Sequence, residues 1–158
     1  MYRIGFGTDL HRLAFGRPLI LGGVTLESDF GADGHSDADA LAHAITDAIL
    51  GALALGDIGT HFPNTDERWR NAESFVFLRY TVGLMKERGF AVANIDATVS
   101  LEKPRLAPYI DSIRESLASV LEADLHRVSV KAKTGEGVDA VGESRAVRAD
   151  AIVLLLAD

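Results

Sequence analysis

Between Ala91 and Leu101 apolar residues recur at every second position, as Ala93, Ile95, Ala97, Val99 and Leu101. That period gives a strand one apolar face, and a helix would scatter the same residues around its surface. A half-apolar strand needs a sheet to lie in and a layer to cover it. The covering layer can be read from three segments at helical spacing. Leu41, Ile45, Ile49 and Leu53, with Ala48 and Ala52, form the first. Phe75, Leu78, Val82 and Met85 form the second, from about Trp69 to Arg88, closed by Gly89. Ile113, Leu117, Val120 and Leu121 form the third. Further strands are expected at residues 2–8, 19–21, 24–26, 128–133 and 147–156, with Gly22-Gly23 as the turn between the second and third. The last becomes continuously apolar, so its end is expected to be buried on both faces. Residues 29–34 read as a glycine-containing loop. The pattern predicts an α+β fold, an α/β sandwich in which a mixed β-sheet packs against about three helices as a single domain over residues 1–158.

Composition narrows the chemistry. At 158 residues and 47% apolar content the chain can build one sizeable core. It has no cysteine, which removes disulfides, thiolate nucleophiles and Cys-ligated metals. A net charge of −7 disfavours a nucleic-acid-binding face. No segment reaches the ~20 apolar residues of a membrane span, and the start lacks a signal or transit pattern. A cytoplasmic location is expected. An acidic chain that binds an anion needs local positive charge from metal ions, backbone N–H groups or a few cations.

Asp9 and His11 are two residues apart in an extended stretch, so their side chains point to one side. His43 lies on the first helix, off its apolar stripe. One carboxylate and two imidazoles suit zinc, manganese or iron(II), and three protein ligands leave a coordination position open for catalysis. Asp39 or Asp47 is a candidate to orient the His43 ring, against a plain solvated surface role. Ser36-Asp37-Ala38-Asp39 resembles a capping sequence, which predicts that the first helix starts at Ser36 and that His35-Ser36 offers an anion site at its N-terminus. Residues 56–66 form a polar connector in which Asp57 can accept a hydrogen bond from a hydroxyl. Lys131 to Gly137 leaves a strand end with cations, a hydroxyl, flexible backbone and one carboxylate, a set suited to a diphosphate with a bridging Mg²⁺. Leu101 to Leu106 also exits a strand and can form a wall for a base.

Four ordered motifs converge on one family. Gly7-Thr8-Asp9-Leu10-His11, Gly34-His35-Ser36-Asp37-Ala38-Asp39, His43-Ala44-Ile45-Thr46-Asp47-Ala48, and Gly56-Asp57-Ile58-Gly59 with Phe62-Pro63-Asn64-Thr65-Asp66 together resemble the 2-C-methyl-D-erythritol 2,4-cyclodiphosphate synthases of non-mevalonate isoprenoid biosynthesis. The resemblance implies a cyclising lyase that converts 4-diphosphocytidyl-2-C-methyl-D-erythritol 2-phosphate to the cyclodiphosphate and CMP. It implies zinc (or manganese) at Asp9, His11 and His43, and a second ion, Mg or Mn, at Glu136. It places His35 and Ser36 near the attacking phosphate, and Asp57, Ile58 and Gly59 against the methylerythritol unit. Phe62, Pro63, Asn64, Thr65 and Asp66 match a mobile loop beside it. Leu101, Pro104, Arg105, Leu106 and Ala107 match the cytidine side, and Lys133, Thr134, Gly135 and Glu136 the diphosphate, with Thr134 contacting the transition state. It further implies a homotrimer with sites between subunits.

The chain departs from the family pattern near its end. Ala140 and Glu143 stand where a Phe and an Arg are usual, and Arg145 where a Glu is usual. This predicts a swapped Glu143–Arg145 ion pair at a subunit junction. Two other readings of the residues stay open, a metallohydrolase of nucleotide diphosphates and a non-catalytic metal-binding module.

Overall fold

The computed structural model describes residues 1–157. Strand β1 (Tyr2–Phe15) is followed by a small hairpin, β2 (Leu19–Leu21) and β3 (Val24–Leu26), and by β4 (Phe30–Ala32). Helix α1 (Ala40–Ala52) and the single turn α2 (Ile58–His61) lead to α3 (Ser74–Glu87) and β5 (Phe90–Ser100). Helix α4 (Ile110–Leu121), β6 (Val128–Lys133), the short α5 (Asp139–Gly142) and β7 (Ala146–Ala157) complete the chain. The sheet order is β4-β1-β7-β5-β6. Only the β5–β6 pair is parallel, so the sheet is mixed, as expected. Among the described residues three long α-helices and two short ones accompany it.

One face of the sheet meets α1, and one continuous core joins that face to α1, α3 and α4. The glycines of β1 set how close α1 lies. A Cβ on Gly5 would stand 1.8 Å from the Ala48 carbonyl oxygen, and one on Gly7 2.0 Å from that of Ala44. Only hydrogen at these positions lets the helix backbone rest on the strand. Because α1 is pressed between the sheet and α3, its small and apolar residues are buried nearly all round.

Several expectations need correction. Strand β1 runs to Phe15 because β4, expected to be loop, pairs with its far end and β7 with the rest. In β5 a bulge between Val92 and Asn94 breaks the alternation, so Val92 rather than Ala93 is buried. The end of β7 is not buried on both faces. Val153 and Leu155 point into the core, but Ile152 is 51% and Leu156 38% exposed. They continue an outer apolar face with Ile4 and Phe6 of β1, which are 72% and 60% exposed. The second helix starts at Ser74, since residues 67–69 form a separate 3-10 turn.

Helix α1 starts at Ala40, not at Ser36. Ala38 adopts a left-handed φ of 56°, which breaks the chain direction ahead of the helix. Asp39 is the cap, accepting from the Ala42 N–H at 3.0 Å. Its other bonds, from the Gly22 N–H at 2.9 Å and the Gly23 N–H at 2.7 Å, tie the hairpin turn to the helix start. His35 and Ser36 therefore do not form a helix N-terminal anion site.

Candidate metal centre

Asp9 and His11 face the helix side of β1, paired across to Ala149 and Val147 of β7. They point the same way as Gly5 and Gly7, so the glycines that admit α1 also bring His43 down onto them. Asp9 Oδ2 lies 2.7 Å from His11 Nε2 and 3.2 Å from His43 Nδ1, and the two ring nitrogens are 3.4 Å apart. The ligand atoms of a tetrahedral zinc with ~2.0–2.1 Å bonds lie about 3.3 Å from each other. The residues fit a divalent ion in spacing and in donor type, and among the described residues this is the group of ligands that converges.

Hydrogen-bond roles agree with that fit. His11 Nδ1 is 3.0 Å from the Asp33 carbonyl oxygen. A carbonyl only accepts, so Nδ1 carries the proton and Nε2 turns a lone pair toward Asp9. Two groups that accept, a carboxylate and a bare imidazole nitrogen, then face each other and call for a cation between them. Without a metal, protons take that part. Burial alone would raise the Asp9 carboxyl, but hydrogen bonds to His11 and His43 and their charge outweigh it and hold Asp9 well below the usual carboxylate range. Burial alone would lower His11, but the bond to Asp9 and its charge outweigh this and raise it.

Asp39 and Asp47, candidates to orient His43 or else plain solvated surface, are neither. Asp39 is wholly buried at the hairpin turn, and Asp47 accepts the Ile58 N–H at 2.7 Å, anchoring the start of α2. Burial raises the Asp47 carboxyl. Two serines approach His43 Nε2 instead, Ser74 Oγ at 2.7 Å and Ser36 Oγ at 3.3 Å. Ser74 starts α3, and its hydroxyl and backbone N–H both donate to Asp37. Asp37 reads in the sequence only as part of a capping run and a longer motif, and Ser74 is not singled out there. Asp37 lies in the loop before α1 and Ser74 at the start of α3, 37 residues apart, and no local pattern connects them.

The three ligands open into a cavity of about 340 Å³ lined also by His35, Ser36, Ile58, Gly59, Phe62, Asn64, Trp69 and Phe77. Phe62, Phe77 and Trp69 pack together as one aromatic wall, the first two with ring centres 4.5 Å apart. Asp57 caps α2 through Thr60, whose hydroxyl and N–H bonds hold its carboxyl below the usual range. Pro63, Thr65 and Asp66 stand outside this cavity's lining, though the Asp66 carbonyl is 3.3 Å from His35 Nε2.

The second group of expected residues gathers elsewhere. Pro104, Arg105 and Thr134 line a cavity of about 710 Å³ with Glu102, Lys103, Phe30 and Ser144. Leu101, Leu106, Ala107 and Lys133 line an adjoining one with Thr134. The Gly135 N–H donates to Glu102, and the Thr134 hydroxyl donates to Glu136 at 3.1 Å. None of these residues lines the metal-side cavity. Glu143 and Arg145 do pair, Arg145 Nη2 lying 2.6 Å from Glu143 Oε2.

A family model described as the YgbB family matches residues 2–156. The chain is 56% identical over 153 residues to the 2-C-methyl-D-erythritol 2,4-cyclodiphosphate synthase of Solibacter usitatus, covering 97% of this chain and 96% of that one. The chain belongs to the YgbB family, that of the 2-C-methyl-D-erythritol 2,4-cyclodiphosphate synthases. A solved structure of such a synthase in a CDP-bound form superposes with a TM-score of 0.91 at 44% identity, over 98% of this chain and 100% of that one. The bifunctional IspDF of Campylobacter jejuni gives 0.96 at 37% identity, over all of this chain and 43% of its own. The curated relatives are 2-C-methyl-D-erythritol 2,4-cyclodiphosphate synthases, and this chain is an enzyme of their kind. Among the described residues no helix is long and apolar enough to cross a membrane.

Proposed function

We propose that this chain converts 4-diphosphocytidyl-2-C-methyl-D-erythritol 2-phosphate into 2-C-methyl-D-erythritol 2,4-cyclodiphosphate and CMP. An oxygen of the substrate's 2-phosphate attacks the β-phosphorus. The bond from that phosphorus to the bridging oxygen breaks, and CMP leaves with the bridging oxygen. The nucleophile comes with the substrate, so the protein has only to position groups and stabilise charge. What carries this reading is the convergence of Asp9, His11 and His43 in a cavity shared with His35, Ser36, Ile58 and Gly59. Family membership supports it.

Held by Asp9, His11 and His43, a zinc- or manganese-type ion supplies Lewis acidity toward a phosphoryl oxygen, and a magnesium- or manganese-type ion at Glu136 adds charge neutralisation at the diphosphate. His35 and Ser36 border the attacking phosphate. The Ile58 and Gly59 edge of α2, with Asp57 and the loop from Phe62 to Asp66, holds the methylerythritol unit. Leu101, Pro104, Arg105, Leu106 and Ala107 receive the cytidine, while Lys133, Thr134 and Gly135 bind the diphosphate.

Because the two groups of residues line separate cavities, the complete site joins one chain's metal side to another's strand exits in a homotrimer. The bare apolar face of Ile4, Phe6 and Ile152 supports that assembly, since a face of this kind is ordinarily covered. The cytoplasm is the compartment we assign.

Incubation with the cytidine substrate and Mg²⁺, followed by ³¹P NMR, tests the reaction. The cyclic diphosphate and CMP are expected together. CMP with only the linear diphosphate would establish a hydrolase instead, and zinc binding with no CMP would establish a non-catalytic module.

A further inference from the structure

The hydroxyl of Ser74 and the carboxylate of Asp37 stand behind His43 on the side away from Asp9. Ser74 is fully buried, at 0% exposure. Its Oγ lies 2.7 Å from His43 Nε2 and also bonds Asp37 Oδ1. Asp37 Oδ2 accepts the Ser74 backbone N–H at 3.0 Å, which fixes the carboxylate against the start of α3.

We infer that Asp37 and Ser74 are positioning residues that set the tautomer and the ring orientation of His43. The argument is donor accounting. A carboxylate only accepts, and a serine hydroxyl has one proton to give. That proton goes to Asp37, so Ser74 Oγ can only accept from the imidazole. His43 Nε2 therefore carries the ring proton, and Nδ1 presents its lone pair to the point where Asp9 Oδ2 and His11 Nε2 meet. His11 reaches the same state by a shorter route, donating its Nδ1 proton to the Asp33 carbonyl. Ser36 Oγ, 3.3 Å from the same His43 nitrogen, is a second, longer acceptor. Partners of this kind ordinarily govern metal affinity, and losing one costs about 10–100-fold.

The inference rests on the proposed metal site, and the two fail in different ways. Zinc affinity of the full-length chain is measured by competition with a chromophoric chelator. Ser74→Ala and Asp37→Asn are expected to weaken zinc binding about 10–100-fold. Ser74→Thr, which keeps the hydroxyl, is expected to restore most of the affinity. Asp37→Asn keeps an acceptor for the Ser74 N–H, so it tests the relay even if Ser74→Ala fails to fold. The inference is overturned if Ser74→Ala and Asp37→Asn bind zinc as the wild type does while His43→Ala has lost it. Wild-type zinc affinity in His43→Ala would overturn the metal site itself and the relay with it.

Discussion

Asp9, His11 and His43 stand inside regular elements, two on β1 and one on α1, and each is half-buried among fixed partners. Lys133, Thr134, Gly135 and Glu136 stand at and beyond the last residue of β6, mostly exposed, and the side-chain hydrogen bonds of the last three stay within their own loop or reach Glu102. The first group is assembled by the packing of one helix on one strand. The second is held in shape locally, and its side chains are mostly exposed. A single chain thus completes the metal end of the proposed site and leaves the diphosphate end facing outward. That division fits the proposed sharing of the site between copies.

The sharpest way to break this division is to remove a metal ligand. His43→Ala and Asp9→Ala are each expected to lose bound zinc and to lower turnover by roughly a thousandfold or more, since such an ion is worth several kcal/mol at a phosphoryl centre. Metal analysis beside the ³¹P assay checks both together, and retained zinc in Asp9→Ala would refute its role as a ligand. The second group should behave otherwise. Thr134→Ala is expected to lower turnover about a hundredfold while zinc content stays at the wild-type level, as for removal of one donor to a transition-state oxyanion. Mixing Thr134→Ala with His43→Ala chains sharpens the comparison. If sites are shared, subunit exchange restores some turnover, and two inactive chains that stay inactive after confirmed exchange would count against sharing.

The two groups also differed in how far the sequence disclosed them. The period-two run in β5 and the helical stripe of α1 are local patterns, and each element formed where its pattern lies. Asp9 and His11 were legible because an i, i+2 pair on a strand shares a face whatever surrounds it. The errors came where a distant partner decides. Phe30 to Ala32 is a strand only because the end of β1 pairs with it. Ile152 and Leu156 are as apolar as core residues, and only the placing of α1 on the other face leaves them outside. Ser36 had the look of a cap, but Asp39 took the role because its carboxylate also serves the Gly22-Gly23 turn. The support of His43 by Ser74 and Asp37 is a tertiary contact with no signature in spacing.

A smaller effect tests how the metal side is built. Gly7→Ala puts a methyl group 2.0 Å from the Ala44 carbonyl oxygen, so α1 has to move off β1. Overpacking of this kind costs roughly 1–3 kcal/mol, or about 3–10 °C in Tm for a chain of this size. Zinc affinity should fall with it, because His43 travels with the helix. Gly83 in α3 provides the contrast, since a Cβ there meets nothing within 4 Å. Gly83→Ala is expected to leave zinc binding unchanged and to raise stability by up to about 1 kcal/mol through helix propensity. Equal losses of stability in the two variants would show that close approach at Gly7 is not what seats the helix.

The smallest expected effect separates two buried carboxylates by pH. Burial pushes Asp39 up to about 6, although three backbone N–H groups hold it down, whereas Asp9 is held low by its histidines. The signs are opposite. Asp9 favours the folded state at pH above the ordinary carboxylate value, and that contribution is lost as acid protonates it. Asp39 keeps its proton longer when folded than when unfolded, so its contribution is full below the ordinary carboxylate value of 3.8 and is lost as pH rises to about 6. The span corresponds to stability on the order of 2–3 kcal/mol. Asp39→Asn carries no charge at any pH in this range, and it gives up one N–H acceptor at a uniform cost of about 1 kcal/mol. Its Tm should therefore lie furthest below the wild type near pH 4 and draw level with it, or pass it, by pH 6.5. Parallel Tm curves from pH 4 to 6.5 would mean that the three N–H bonds outweigh burial and keep Asp39 ionised. It would then serve as a fixed charge at the start of the helix that carries His43.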